Sequence, residues 1–113
     1  MVRKIIAYKD YYSQFMNSLQ ESERLKIQRA LLLFLNNERI PFHYIKYLRD
    51  DIYEFRVTHL GNEFRLFFCY DGDALVILFN GIKKKTQKTP RNEIDKAERL
   101  KKEYYESKGK QIL

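Results

Sequence analysis

Two turn signals constrain the middle of this chain more than any other feature in it. Gly61-Asn62 and Asp71-Gly72 are dipeptides suited to the positive φ angles of tight hairpins, and each lies between runs of strand formers. Ile52–His59 alternates Tyr53, Phe55 and Val57 against Glu54, Arg56 and Thr58. Glu63–Tyr70 alternates Phe64, Leu66 and Phe68 against Arg65, Phe67 and Cys69. Ala74–Asn80 is the third run. A period of two with short turns predicts an antiparallel β-meander. With Gly61-Asn62 as the tip, Thr58 lies opposite Arg65 and Arg56 lies on the diagonal, on the same face. With Asp71-Gly72 as the second tip, Phe64, Leu66 and Phe68 face Phe79, Ile77 and Leu75. That all-apolar face is the one expected under helices. The other carries Arg56, Arg65, Thr58 and Phe67, is expected to be partly open, and continues through Asn80 and Ile82 to Lys84. A one-residue slip would separate the arginines, because side chains alternate faces.

The flanking segments supply the cover. Val2–Tyr8 reads as an edge strand. Asp10 is placed to cap a helix through Tyr11, Tyr12, Phe15, Met16 and Leu19. After a break at Gln20-Glu21-Ser22, a second helix is predicted over about Glu23–Asn36, with Ile27, Leu31, Phe34 and Leu35 as its apolar stripe. Asn36-Asn37 and Pro41 end it. The short connection predicts a helical hairpin. Pro41–Asp51 reads as irregular, with Phe42, His43, Tyr44 and Tyr47 among basic residues. Such aromatics pin a loop to the core or stack on bases. Ile94, Ala97, Leu100 and Tyr104 predict a final helix.

The 113 residues fit a single domain over residues 1–113, with no internal repeat or linker, and 44% hydrophobic content suffices for a core. Cys69 is the one cysteine, so no internal disulfide is expected. The early charges at Arg3 and Lys4 fit neither a leader nor a membrane span, so a cytoplasmic protein is expected. The net charge of +7 is unevenly placed: residues 1–82 carry +1 and residues 83–113 carry +6. Much of it lies in Lys83, Lys84, Lys85, Lys88 and Arg91, with Thr86, Gln87 and Thr89 adding neutral hydrogen-bonding groups. A solvated loop has this composition, and so does a site for a phosphodiester backbone. Glu93, Asp95, Glu98, Glu103 and Glu106 on the following helix disfavour an anionic membrane as the partner.

For Arg56 and Arg65 two readings stand: ion pairs with Glu54 or Glu63, or a phosphate clamp. No cluster of metal-ligand spacing and no glycine-rich phosphate loop is present in the sequence, so no metal and no cofactor is expected.

The succession Tyr53-Glu54-Phe55-Arg56-Val57, Glu63-Phe64-Arg65-Leu66-Phe67-Phe68 and Leu78 through Pro90, with Glu93-Ile94 and Ala97, resembles the RelE/HigB toxins of bacterial type II toxin–antitoxin systems, in particular their phage-derived branch. The resemblance runs from about Leu48 to Tyr105. It implies a compact α+β domain: a mostly antiparallel twisted sheet, made of a β-meander plus an N-terminal strand, packed on an N-terminal helical hairpin, with a C-terminal helix. It further implies a toxin that cleaves mRNA on the ribosome, and a cognate antitoxin of helix-turn-helix type as partner. Arg56, Arg65 and Lys84 are then the catalytic cations. Lys83, Lys85, Lys88 and Arg91 bind RNA. His59, His43, Tyr104 and Tyr105 are candidates for proton transfer. RNA cleavage can proceed through its own 2′-OH, given cations for the phosphorane and a group to move a proton. The alternative is a non-catalytic toxin of the ParE type that inhibits DNA gyrase by binding it.

Overall fold

The computed structural model describes residues 2–85 and 88–112, with side chains described through Gly109. Thr86 and Gln87 of the basic loop lie outside the described residues. The elements run β1 (Lys4–Ala7), α1 (Tyr11–Asn17), α2 (Glu21–Asn36), a 3-10 turn (Phe42–Tyr44), β2 (Ile45–Arg49), β3 (Ile52–His59), β4 (Asn62–Asp71), β5 (Leu75–Lys84) and α3 (Arg91–Ile112). One five-stranded sheet is ordered β1-β5-β4-β3-β2. Its strands are antiparallel except for β1, which runs parallel to β5 with Ile5 beside Val76. This is the expected α+β arrangement of meander, N-terminal strand, helical hairpin and C-terminal helix.

The helix starts depart from expectation. Asp10 stands at the N-cap of α1 without a side-chain cap; its carboxylate instead accepts from Gln14 Nε2 at 2.8 Å. Helix α2 begins at Glu21, inside the expected break. Glu23 reaches back to accept the backbone N–H of Gln20 at 2.9 Å, satisfying a group the helix end leaves without a partner. The Pro41–Asp51 segment, expected to be irregular, contains β2, turned into β3 by Asp50 and Asp51 with φ of 49° and 59°. Two aspartates in the left-handed region make the turn an Asn-Gly pair would signal openly.

Cover lies on both faces of the sheet. Hairpin helices α1 and α2 bury Phe15, Ile27, Leu31 and Phe34 against Phe55, Val57, Phe64, Leu66, Phe68, Val76 and Leu78. On the far face α3 buries Ala97 and Leu100 against Ile52, Phe67, Cys69, Ile77 and Phe79. Leu75, Ile77 and Phe79, expected under the hairpin helices, are therefore on the α3 side. Two features explain this. The β4–β5 loop leaves three residues, Gly72 to Ala74, between the paired Asp71 and Leu75, one more than a two-residue tip. A β-bulge then sets Phe79 and Asn80 together opposite Phe67, between the pairs Phe68–Leu78 and Leu66–Gly81. Past the bulge the alternation is shifted by one. Gly81 returns to the hairpin face, where a Cβ would come within 2.4 Å of the Phe15 ring. Only glycine lets α1 lie that close to the strand.

The first hairpin turns at Leu60-Gly61, one residue earlier than expected, both with positive φ (52° and 80°). Pairing moves by two residues in consequence, so the faces are kept. Arg56 stands directly opposite Arg65, and Thr58 opposite Glu63.

Candidate nucleic-acid interface

The α3 face of β3, β4 and β5 carries a polar cluster at one end. Period two on β3 places Glu54, Arg56 and Thr58 there; Glu63 and Arg65 answer them from β4, and Lys84 lies opposite Glu63 on β5. This face is not open at Arg65. Helix α3 covers its middle, and Arg65 is 0% exposed. The guanidinium is held by ion pairs: Nη2 donates to Glu63 Oε1 at 2.9 Å, and Nε lies 3.5 Å from Glu54 Oε1. Glu54 and Glu63 are themselves buried. Of the two readings for Arg65, the structure shows the ion-paired one, and in the interior rather than at the surface.

Arg56 is partly exposed at the rim, with Nε 3.7 Å from the same Glu54 oxygen. Glu54 Oε2 accepts the Thr89 hydroxyl at 2.7 Å, which ties the end of the basic loop to the cluster. Glu63 Oε2 accepts Thr58 Oγ1 at 2.6 Å. That hydrogen bond first, then Arg65, hold the Glu63 carboxyl below the usual glutamate range. Asn80, turned to this face by the bulge, donates to Glu93 Oε2 at 2.9 Å and anchors the start of α3. Lys84 Nζ is enclosed without a hydrogen-bond partner among the described residues. Burial, and then the neighbouring Arg65 charge, lower its pKa. A lysine so placed loses its proton more readily than a solvated one. Three cations stand against two carboxylates. The excess positive charge sits at the rim, next to exposed Lys85 and Lys88 and to Arg91 at the first position of α3.

The structure brings Arg56, Arg65 and Lys84 together, and it separates Lys83, His59, Tyr104 and Tyr105 from them. Lys83 points to the hairpin face, 2.7 Å from Glu23 Oε2. His59 is on that side too, its Nε2 buried without a hydrogen-bond partner among the described residues. Tyr104 and Tyr105 sit at the opposite end of β4: the Tyr104 hydroxyl donates to Asp71 at 2.6 Å and that of Tyr105 to the Tyr70 carbonyl at 3.1 Å. Asp71 is six positions from Arg65, about 20 Å along a strand. Burial raises both phenols, Tyr104 well above the usual tyrosine value and Tyr105 to about 12, which suits neither to proton transfer near neutrality. His43 is exposed on the 3-10 turn. Cys69 lies beneath α3, its thiol pushed by burial up to about 11. Glu54, the carboxylate common to both arginines, appears in the sequence only as a possible ion-pair partner. What identifies it is its even-numbered position on a strand whose odd positions are apolar.

Among the described residues no three His, Cys, Asp or Glu side chains converge as a metal-ligand set, and no helix is long and apolar enough to cross a membrane.

A helical hairpin and a C-terminal helix on opposite faces of a five-stranded sheet define the class of fold. A chain of the archaeal RelE-RelB complex from Pyrococcus horikoshii OT3 is similar at a TM-score of 0.50 and 12% identity, covering 78% of this chain and 100% of that one. The likeness is one of fold. The family model described as "Phage derived protein Gp49-like (DUF891)" matches residues 14–102, and the chain belongs to that family. No curated protein sequence matches it.

Proposed function

We propose that this chain is the toxin of a type II toxin–antitoxin system, of the HigB-type branch, acting as a ribosome-dependent mRNA endoribonuclease and neutralised by a cognate antitoxin of helix-turn-helix type. The observation that carries the reading is Lys84 Nζ, enclosed beside Arg56 and Arg65 with a lowered pKa, under a rim of exposed lysines. In the proposed reaction the 2′-oxygen of one nucleotide attacks the adjacent phosphorus. Lys84, in its neutral form, takes the 2′-OH proton. Arg56 and Arg65 offset the charge of the phosphorane, Arg56 by contact and Arg65 through the cluster it anchors. The P–O5′ bond breaks, leaving a 2′,3′-cyclic phosphate and a 5′ oxygen that takes up a proton from solvent. Side chains supply all the charge stabilisation in this scheme. Lys85, Lys88 and Arg91 hold the flanking backbone.

A second reading, a binding toxin of the ParE type directed at DNA gyrase, draws on the burial of Arg65, which removes one guanidinium from direct contact with phosphate. Mapping RNA 5′ ends in a translating extract separates the two. New ends within codons are expected. Intact RNA together with arrested supercoiling would overturn the nuclease reading in favour of the second.

A further inference from the structure

Beside the cluster the sheet has an open edge. Strand β2 pairs with β3 only as far as Ile45 opposite Phe55, so Val57–His59 have β4 on one side and, among the described residues, no strand on the other. An unpaired edge presents backbone N–H and C=O groups that need partners. Here the edge borders a cleft of about 350 Å³ whose lining includes Lys26 from α2, His43 and Tyr44 from the 3-10 turn, and Arg56, Thr58 and Glu63. The Glu63 oxygens are already engaged by Thr58 and Arg65. The two basic side chains thus set the charge of the cleft.

The rim is aromatic. Phe42, one residue before His43, is 90% exposed. A single exposed ring is ordinary on a protein surface, but this one is the outer end of a ladder. Phe42 meets His43 edge-on at 6.4 Å, His43 lies 4.3 Å from Tyr44, and Tyr44 stacks at 5.7 Å on Phe55, which is wholly buried. Tyr44 and Phe55 back His43, while Phe42 stands out into solvent beside it. Of the aromatics that the sequence interleaves with basic residues, Tyr44 is pinned on the core and Phe42 is not.

We infer that this cleft is a subsite for one unstacked base of single-stranded RNA, held against the Phe42–His43 pair, with its phosphates on Lys26 and Arg56 and its edge toward the open backbone of β3. The inference rests on the reading of the chain as an RNA-cleaving protein and adds to it a stacking platform outside the Arg65–Lys84 cluster. Aromatic faces accept every base, and flanking cations track the backbone. A peptide strand added to the edge is the competing occupant, but three open residues offer it few ladder bonds, and it would have no use for the two cations.

The chain contains no tryptophan, so Phe42→Trp introduces a lone fluorescent reporter at the rim. The probe is a short oligoribonucleotide methylated at its 2′-oxygens, which binds without being cut. Quenching of the introduced indole is expected on titration. Phe42→Ala and His43→Ala are expected to weaken binding by roughly 5- to 150-fold, the usual value of one base stack. If the unmodified chain binds the probe while the indole is silent and Phe42→Ala binds equally well, the subsite is overturned and the proposed function stands. If the indole responds to an antitoxin and not to the probe, the edge docks protein and the inference fails. If the unmodified chain neither binds the probe nor cleaves mRNA on programmed ribosomes, both readings fall together.

Discussion

Arg56 and Arg65 stand directly opposite each other on neighbouring strands and share a single carboxylate oxygen, Glu54 Oε1, at 3.7 and 3.5 Å. Like charges facing each other across a strand pair repel. The shared oxygen lets two guanidiniums be held side by side at the edge of a buried cluster. Glu54→Gln keeps the shape and can still accept from Thr89, but it removes the counter-charge. A loss of about 3–5 kcal/mol is expected, as for other broken buried pairs, and urea denaturation measures it.

Arg65→Ala is expected to lose both activity and stability. The side chain is fully buried, so its removal leaves Glu63 and Glu54 short of a partner at a cost of about 3–5 kcal/mol. Arg56→Ala, at the rim, is expected to fold with nearly unchanged stability and to cleave about 10²–10³-fold more slowly, the usual loss for an oriented group that stabilises transition-state charge. Denaturation midpoints set beside single-turnover rates on programmed ribosomes separate these two outcomes.

Lys84→Met is expected to split stability from activity in the opposite sense. The native state holds the Lys84 proton less tightly than the unfolded chain does, because burial and Arg65 lower its pKa. Its charge therefore weighs against folding at neutral pH, and stability rises as pH climbs through the lowered value toward the ordinary lysine range. Methionine removes that burden. The melting temperature is expected to hold or rise, the increase of stability at alkaline pH to flatten, and cleavage at saturating protein to fall by about 10²–10⁴-fold. Full cleavage by a folded Lys84→Met protein would remove Lys84 from proton transfer.

Gly81→Ala tests the packing of α1 on β5. A Cβ there meets Phe15 atoms at 2.4, 2.7 and 2.8 Å, including the ring carbon attached to the side-chain stem. The ring must move as a whole, so a loss of about 1–3 kcal/mol is expected. Phe15→Leu combined with Gly81→Ala is expected to recover part of it, which a double-mutant cycle reads directly.

Much of the architecture was legible because it is written in period. Alternation from Ile52 to His59 placed Arg56 and Thr58 on one face whatever the turn did, since the observed tip moves the pairing by an even number of residues. The i, i+3, i+6 spacing of Ile94, Ala97 and Leu100 gave α3. The sequence did not show that α3 would lie over the arginine face. That depends on Phe67, Cys69, Ile77 and Phe79 forming a second apolar patch, and the turn signals alone assign Leu75, Ile77 and Phe79 to the other side. Lys84 was nevertheless placed beside Arg65, because the longer loop and the bulge, both unseen, offset each other in parity. Strand β2 was missed because Asp50-Asp51 makes its turn without glycine or asparagine. The burial of Arg65 was missed because a charged residue on a strand reads as surface unless its partners are known to be interior.

The bulge at Phe79-Asn80 has a genetic consequence. Strand β5 runs in two phases, one up to Phe79 and another from Gly81 onward, and the lysines that follow inherit the second. Deleting one residue at the bulge would restore a single phase. Each lysine would keep its face and Gly81 its place against Phe15, whereas the same deletion made between the bulge and the lysines would turn Lys83 into the arginine cluster and Lys84 toward Glu23. Two adjacent, chemically identical residues thus hold unrelated posts by virtue of one residue's count. Relatives should be aligned here from the bulge outward, because a gap opened inside the lysine run would match each lysine with a neighbour's duty.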